Sequence, residues 1–186
     1  FNIYINDIIN IDTTAQFIIY ADDTSLFLTS GCAKDLLALA NAALSELNRW
    51  SSLNSLSVNK SKTKAVLFQP RNNFHIDGHL QMGSSVINIV PSIKCLKVVF
   101  QENLLWNLCT DSVANKIARV VGILMKLRFF LPLSVKKLLY NCLFLSHLNY
   151  CHLVWRNTTM SNITKLYLLQ KKAVRAIANS SYDAHT

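Results

Sequence analysis

The segment Phe17-Ile18-Ile19-Tyr20-Ala21-Asp22-Asp23-Thr24-Ser25-Leu26-Phe27-Leu28 leaves the backbone little choice. Two runs rich in branched and aromatic side chains are separated by Ala21-Asp22-Asp23, so the chain must reverse at once, and the spacing predicts a tight β-hairpin. Successive side chains of a strand point to opposite faces, so Asp22 and Asp23 can serve one site only if a turn presents them together. Two neighbouring carboxylates among apolar strands raise each other's affinity for protons unless a cation sits between them. Mg²⁺ suits that role because it takes hard oxygen ligands and keeps positions for water and substrate phosphates, as nucleotidyl transfer requires. Asp also favours ordinary β-turns by bonding to its own backbone, so the pair alone leaves a structural reading open.

Downstream, the hydrophobic period alternates between 2 and 3.6. Leu36, Leu37, Ala40, Ala43, Leu44, Leu47 and Trp50 mark one face of an amphipathic helix over 33–50. A Ser/Asn-rich loop over 51–60 follows, then a strand over 64–68 ending at Pro70, and a turn at Asp77-Gly78. The β-prone segments 80–82, 86–90 and 94–100 predict a small antiparallel group that closes the first lobe near Trp106. Val113, Ile117, Val120, Val121, Leu124 and Leu127 then mark a helix, which Pro132 separates from a second helix starting near Ser134. A third helix is predicted over 161–178 with Ile163, Leu166, Tyr167, Ala173, Val174 and Ile177 inward. The expected class is α+β, with one domain over 1–105 and a helical one over 106–186. Four glycines and no Gly-rich loop exclude a P-loop or Rossmann phosphate cradle.

Charge is distributed unevenly. The net charge is +9, and residues 112–178 hold Lys116, Arg119, Lys126, Arg128, Lys136, Lys137, Arg156, Lys165, Lys171, Lys172 and Arg175 without one acid. Such a lobe repels itself unless a polyanion neutralises it, and a phosphate backbone is the commonest partner; a solvated basic surface is the plainer alternative. The five cysteines, at 32, 95, 109, 142 and 151, form no CxxC pair, and buried free thiols are expected. Cys142, His147, Cys151 and His152 could gather around zinc, but scattered Cys and His on an apolar helix more often pack. Charged and polar residues interrupt every long apolar stretch, so no membrane partner is expected, and the chain is read as intracellular, cytoplasmic or nuclear. It opens at Phe1 within an apolar run and without Met, which reads as part of a longer chain.

Phe17-Ile18-Ile19-Tyr20-Ala21-Asp22-Asp23-Thr24 resembles the FxxYADDT box of the reverse-transcriptase palm. The resemblance continues in order. Phe1-Asn2-Ile3-Tyr4-Ile5-Asn6-Asp7-Ile8 is similar to the segment after the polymerase's substrate-pocket motif. Asn48-Arg49-Trp50 with Val58-Asn59-Lys60-Ser61-Lys62-Thr63-Lys64 resembles the lysine-bearing motif, and Cys95-Leu96-Lys97-Val98-Val99-Phe100 through Leu105-Trp106 the primer-gripping segment. Tyr140, Leu148-Asn149-Tyr150-Cys151, Val154-Trp155 and Leu169-Gln170-Lys171-Lys172-Ala173-Val174-Arg175 resemble the downstream region of jockey-like non-LTR retrotransposons. Lys97 stands where the family usually has glycine, and Gln101 and Arg156 replace a common Asp and Gly.

The resemblance implies a partial polymerase palm, an antiparallel sheet with the YADD hairpin and a packed helix, followed by an all-α, thumb-like bundle. It implies an RNA-directed DNA polymerase that adds deoxynucleotides to a DNA primer on an RNA template, with Mg²⁺ or Mn²⁺ as cofactor. Asp22 would be the main metal ligand and Asp23 its neighbour, both catalytic. Tyr20 and Ala21 would lie beneath the primer end or incoming nucleotide. Lys62 or Lys64 would stand near the leaving pyrophosphate, Lys62 as the catalytic candidate and Lys64 as a nucleotide or primer contact; a solvated basic loop is the alternative for both. Lys116, Arg119, Lys126, Arg128, Lys171, Lys172 and Arg175 would meet the nucleic-acid backbone. The family's other metal-binding Asp, in the N-terminal palm, and its fingers precede the matched segments, so the isolated chain is expected to be inactive. A non-catalytic basic helical module that binds nucleic acid is the alternative function, and helices that pack against other domains of a parent chain are a third reading.

Overall fold

A computed structural model describes residues 4–11, 14–69 and 76–181. The protein is α+β and divides into two compact units, Phe1–Pro91 and Ser92–Thr186. Phe1, Asn2, Ile3 and Pro70, which enter the sequence expectations above, lie outside the described residues.

In the first unit a short 3₁₀ turn, Asn6–Asn10, precedes the hairpin of β1 (Gln16–Tyr20) and β2 (Asp23–Phe27). Helix α1 (Ala33–Leu53) runs one turn further than its apolar spacing predicts. The Ser51 and Ser52 hydroxyls donate back to the Asn48 carbonyl, both at 2.9 Å, so these serines extend the helix instead of opening the loop. The α1 face formed by Leu37, Ala40, Leu44 and Leu47 packs on Leu80, Met82 and Ile87 of β4 (Leu80–Met82) and β5 (Ser85–Ile89). Asn41 of α1 reinforces the contact: its amide donates to the His79 carbonyl at 3.2 Å and its Oδ1 accepts from the Gln81 N–H at 2.8 Å, so the β4 edge finds hydrogen-bond partners.

The expected strand 64–68 shortens to β3 (Lys64–Ala65), and it pairs parallel, not antiparallel, with β5 in a three-stranded sheet of order β3-β5-β4. Its partner ends at Ile89 opposite Ala65, so nothing remains for 66–68 to pair with. The helix and the hairpin therefore belong to different sheets, which corrects the expected single antiparallel palm sheet.

The second unit begins with a hairpin, β6 (Ser92–Cys95) and β7 (Val98–Gln101), where the sequence predicts one β segment that closes the first lobe. Leu96 at φ 45° and Lys97 at φ 66° form the two-residue connection, the left-handed pair that matches the twist of a hairpin. The hairpin belongs with the helices because Val98 enters their core, Phe100 meets Trp106 edge-on at 5.4 Å, and the Tyr150 hydroxyl donates to the Leu96 carbonyl at 2.8 Å. The domain boundary thus falls at 91/92 and not at 105/106, and the second unit is not all-α.

Helix α2 (Asn107–Leu127) leads into α3 (Leu133–Leu139), which continues through a π-helical stretch, Tyr140–Leu145, into α4 (Ser146–Asn149). Short α5 (His152–Trp155) precedes α6 (Met160–Ala178). Asn162 donates to Asn107 Oδ1 at 2.8 Å and Lys165 pairs with Asp111, so the N-terminal ends of α2 and α6 meet and the two helices run parallel, with α3–α4 as the return. Their core holds Ile117, Val120, Leu124, Phe144, Leu166, Ala173 and Ala176. The buried α6 face is Leu166, Ala173 and Ala176; of the predicted inward residues, Ile163, Tyr167 and Val174 face solvent. Helix α6 is apolar on more than one side, so periodicity alone could not choose the face that α2 covers.

Candidate functional site

The hairpin turn is built from the register outward. Tyr20 pairs with Asp23, Ile19 with Thr24 and Ile18 with Ser25, leaving Ala21 and Asp22 as the entire connection. A two-residue hairpin loop needs a left-handed backbone that non-glycine residues resist, and Ala21 adopts it at φ 53°. The bend brings Asp22 at the tip beside Asp23 at the first position of β2, both exposed. Residues directly opposite share a face, so Asp23 lies with Tyr20, Ile18 and Ser25 on the open side. Tyr20 is 64% and Ile18 59% exposed.

On the other side, Ile19 and Ala21 join Ile5 and Asn6 around a shallow pocket of about 210 Å³. The segment that supplies Ile5 and Asn6 is tied to α1: the Trp50 indole donates to Asp7 Oδ2 at 3.4 Å, and the Tyr4 hydroxyl donates to the Asn54 carbonyl. Sequence reasoning missed Ile5 and Asn6 as neighbours of the turn. Their only signal was a short apolar segment just upstream.

Two adjacent carboxylates at an exposed turn supply hard oxygen donors, and that chemistry fits a divalent cation that keeps part of its hydration. Among the described residues no group of three or more Asp, Glu, His or Cys side chains gathers, around this turn or around Cys142, His147, Cys151 and His152. Of the cysteines, Cys109 is buried and Cys95 half-buried, while Cys32, Cys142 and Cys151 are exposed, which corrects the expectation of buried thiols.

Lys62 lies on a loop ordered by Asn59, and Lys64 follows directly after it. Asn59 Oδ1 accepts from the Ser61 hydroxyl at 2.8 Å and the Lys62 N–H at 3.2 Å, while its carbonyl accepts from Thr63 N–H at 3.1 Å. Both lysines are exposed, Lys62 in the turn and Lys64 at the start of β3. Among the described residues neither forms an ion pair with Asp22 or Asp23; the ion pairs are Arg49–Glu46 and Lys165–Asp111.

The cations of the second unit are not equivalent. Arg119, Lys126, Lys137, Arg156 and Lys172 are exposed, while Lys116, Arg128, Lys171 and Arg175 are partly covered. Lys171 lies over the Tyr167 ring at 5.0 Å and Arg128 over the Phe129 ring at 4.4 Å. Lys136, counted by sequence with the surface charges, is 3% exposed and donates to the Arg128 carbonyl at 3.1 Å and to Asn179 Oδ1 at 2.8 Å. Sequence reasoning also passed over Phe129 and Phe130, 70% and 81% exposed between α2 and α3. Two adjacent aromatics in a short interhelical turn, outside the 3.6-residue period, were the available signal.

Comparison of the chain with protein-family models, curated proteins and solved structures finds no match. No helix among the described residues is long and apolar enough to cross a membrane.

Proposed function

We propose that the chain is the palm hairpin and thumb-like region of an RNA-directed DNA polymerase of the jockey-like non-LTR class. The reading is carried by one observation: Tyr20-Ala21-Asp22-Asp23 forms the turn of an antiparallel hairpin, with both carboxylates exposed and Ala21 in a left-handed conformation.

In this reading Asp22 and Asp23 would hold Mg²⁺ beside a primer end, and a bound ion would supply charge neutralisation for nucleotide phosphates and a more acidic 3′-hydroxyl. Tyr20, on the same open face as Asp23, lies beneath the primer or incoming nucleotide. Lys62, with Lys64 as a nucleotide contact, offsets charge on the departing pyrophosphate. The RNA template and DNA primer run along Lys116, Arg119, Lys126, Arg128, Lys171, Lys172 and Arg175. Two carboxylates do not complete such a site, so a third must come from another palm strand.

Primer extension on an RNA template tests the reading. The isolated chain should incorporate no nucleotide with Mg²⁺ or Mn²⁺. The same segment joined to an N-terminal palm and fingers should extend the primer and lose that activity, by a thousandfold or more as an order-of-magnitude estimate, with Asp22→Ala. Unchanged extension after Asp22→Ala would sink the assignment.

The acid-free stretch 112–178 favours a second reading, a non-catalytic module that binds nucleic acid through its helices. Binding that falls steeply with salt but ignores Mg²⁺ and Asp22→Ala, in a chain that extends no primer even when joined to an N-terminal palm and fingers, would favour the module.

A further inference from the structure

We propose that residues 128–131, with the helix ends gathered around Lys136, form a stacking platform for the unpaired bases of a single-stranded nucleic acid. The proposal rests on the reading that the helical unit holds nucleic acid, and it names the form held at this one end of the unit, a stretch of template not paired with primer.

Four observations meet at this end of the second unit. Phe129 and Phe130 project from the turn after α2 at 70% and 81% exposure, a large cost in apolar surface for a turn to carry without a partner. The Arg128 guanidinium lies over the Phe129 ring with its carbon 4.4 Å from the centroid. Lys126 and Lys137 stand exposed on either side of the turn in sequence, and no acid occurs between 112 and 178. Finally, Lys136 Nζ joins the two helix ends, bonding to the carbonyl of Arg128, which caps α2, and to the side chain of Asn179, which caps α6.

The last observation removes an objection. Parallel helices that end side by side concentrate the negative ends of two macrodipoles, which would repel phosphate. The buried Lys136 ammonium lies between those caps and offsets them, so Arg128, Lys126 and Lys137 keep an attractive field. Lys136 is therefore a positioning residue and not a contact.

The pattern of flat rings beside cations matches a single strand, in which bases and phosphates alternate. A base can stack on Phe130 while phosphate oxygens take the outward donors of Arg128. An acyl environment fits less well, because burying Phe129 would carry the guanidinium stacked on it out of water. A duplex hides its base faces and could use the cations alone.

Fluorescence anisotropy of the full chain with a labelled mixed-sequence oligonucleotide, single-stranded or annealed to its complement, tests the platform. The wild type should prefer the single strand. Phe129→Leu with Phe130→Leu keeps apolar bulk but removes the rings; it should weaken single-strand binding about tenfold, leave duplex binding unchanged and leave the salt dependence unchanged. Phe130→Trp should restore or strengthen it. Lys126→Gln with Lys137→Gln should instead flatten the salt dependence for both forms. Far-UV circular dichroism checks that the exposed positions leave the fold alone. Equal single-strand affinity of wild type and the double Leu variant would overturn the platform while nucleic-acid binding stands. Absence of binding to either oligonucleotide would overturn the underlying reading as well. Loss confined to sedimentation with phosphatidylserine vesicles would overturn the platform in favour of a lipid surface.

Discussion

The β1–β2 hairpin and the helical unit solve opposite problems. The hairpin exposes Ile18, Tyr20 and Phe27 and stands as a two-stranded sheet. Among the described residues the helical unit gathers fourteen buried residues into one cluster, against four around α1, β4 and β5, enough to support a charged exterior and one internal ammonium. A two-stranded ribbon buries too little to hold itself, so its conformation depends on turn geometry and on whatever covers its open face. A packed three-helix core tolerates self-repelling charge because apolar burial supplies most of its stability.

Mutations can break or sharpen this contrast. The largest effect should come from Phe144→Ala, which empties a fully buried position stacked on Tyr140 at 4.9 Å; a loss of about 3–5 kcal/mol is expected in urea unfolding followed by circular dichroism. A loss below about 1 kcal/mol would mean that the helical core is not the stable part of the chain. Next, Lys136→Met should cost about 1–3 kcal/mol by leaving the Arg128 carbonyl and Asn179 without their shared donor, whereas Lys137→Met should stay within about 0.5 kcal/mol. Equal effects of the two would contradict the distinction between an internal and a surface cation.

Glycine at the strained turns should act in the other direction. Lys97→Gly removes the penalty of a side chain at φ 66° and is expected to raise stability by about 1 kcal/mol, read as a higher urea midpoint. The smallest effect belongs to Ile18→Ser on the open hairpin face, within about 0.5 kcal/mol. A larger loss would show that this face is covered in solution.

Much of the candidate site was legible in advance, because a turn is decided by neighbours in sequence. Ala21, Asp22 and Asp23 had to bend wherever two β-prone runs were separated by three residues. The pocket wall from Ile5 and Asn6 was not legible, since it depends on Trp50 and Tyr4 tying a distant segment to α1. The eleven cations could be counted, but not sorted. Lys136 looks like Lys137 in sequence, and only the meeting of two helix ends makes one internal and leaves the other in water.

The sequence by itself determined the YADD hairpin, the spans of α1 and α6 to within a few residues, the C-terminal end of α2, and the acid-free stretch 112–178. These follow from steric preferences and hydrophobic periods that act over one or two turns of chain. Tertiary structure alone decided the parallel pairing of β3 with β5, the transfer of β6–β7 to the helical unit, the buried face of α6 and the burial of Lys136. Each was a choice among faces or partners of similar local merit, and such choices are settled only by which apolar surfaces and hydrogen-bonding groups meet across long separations in the chain.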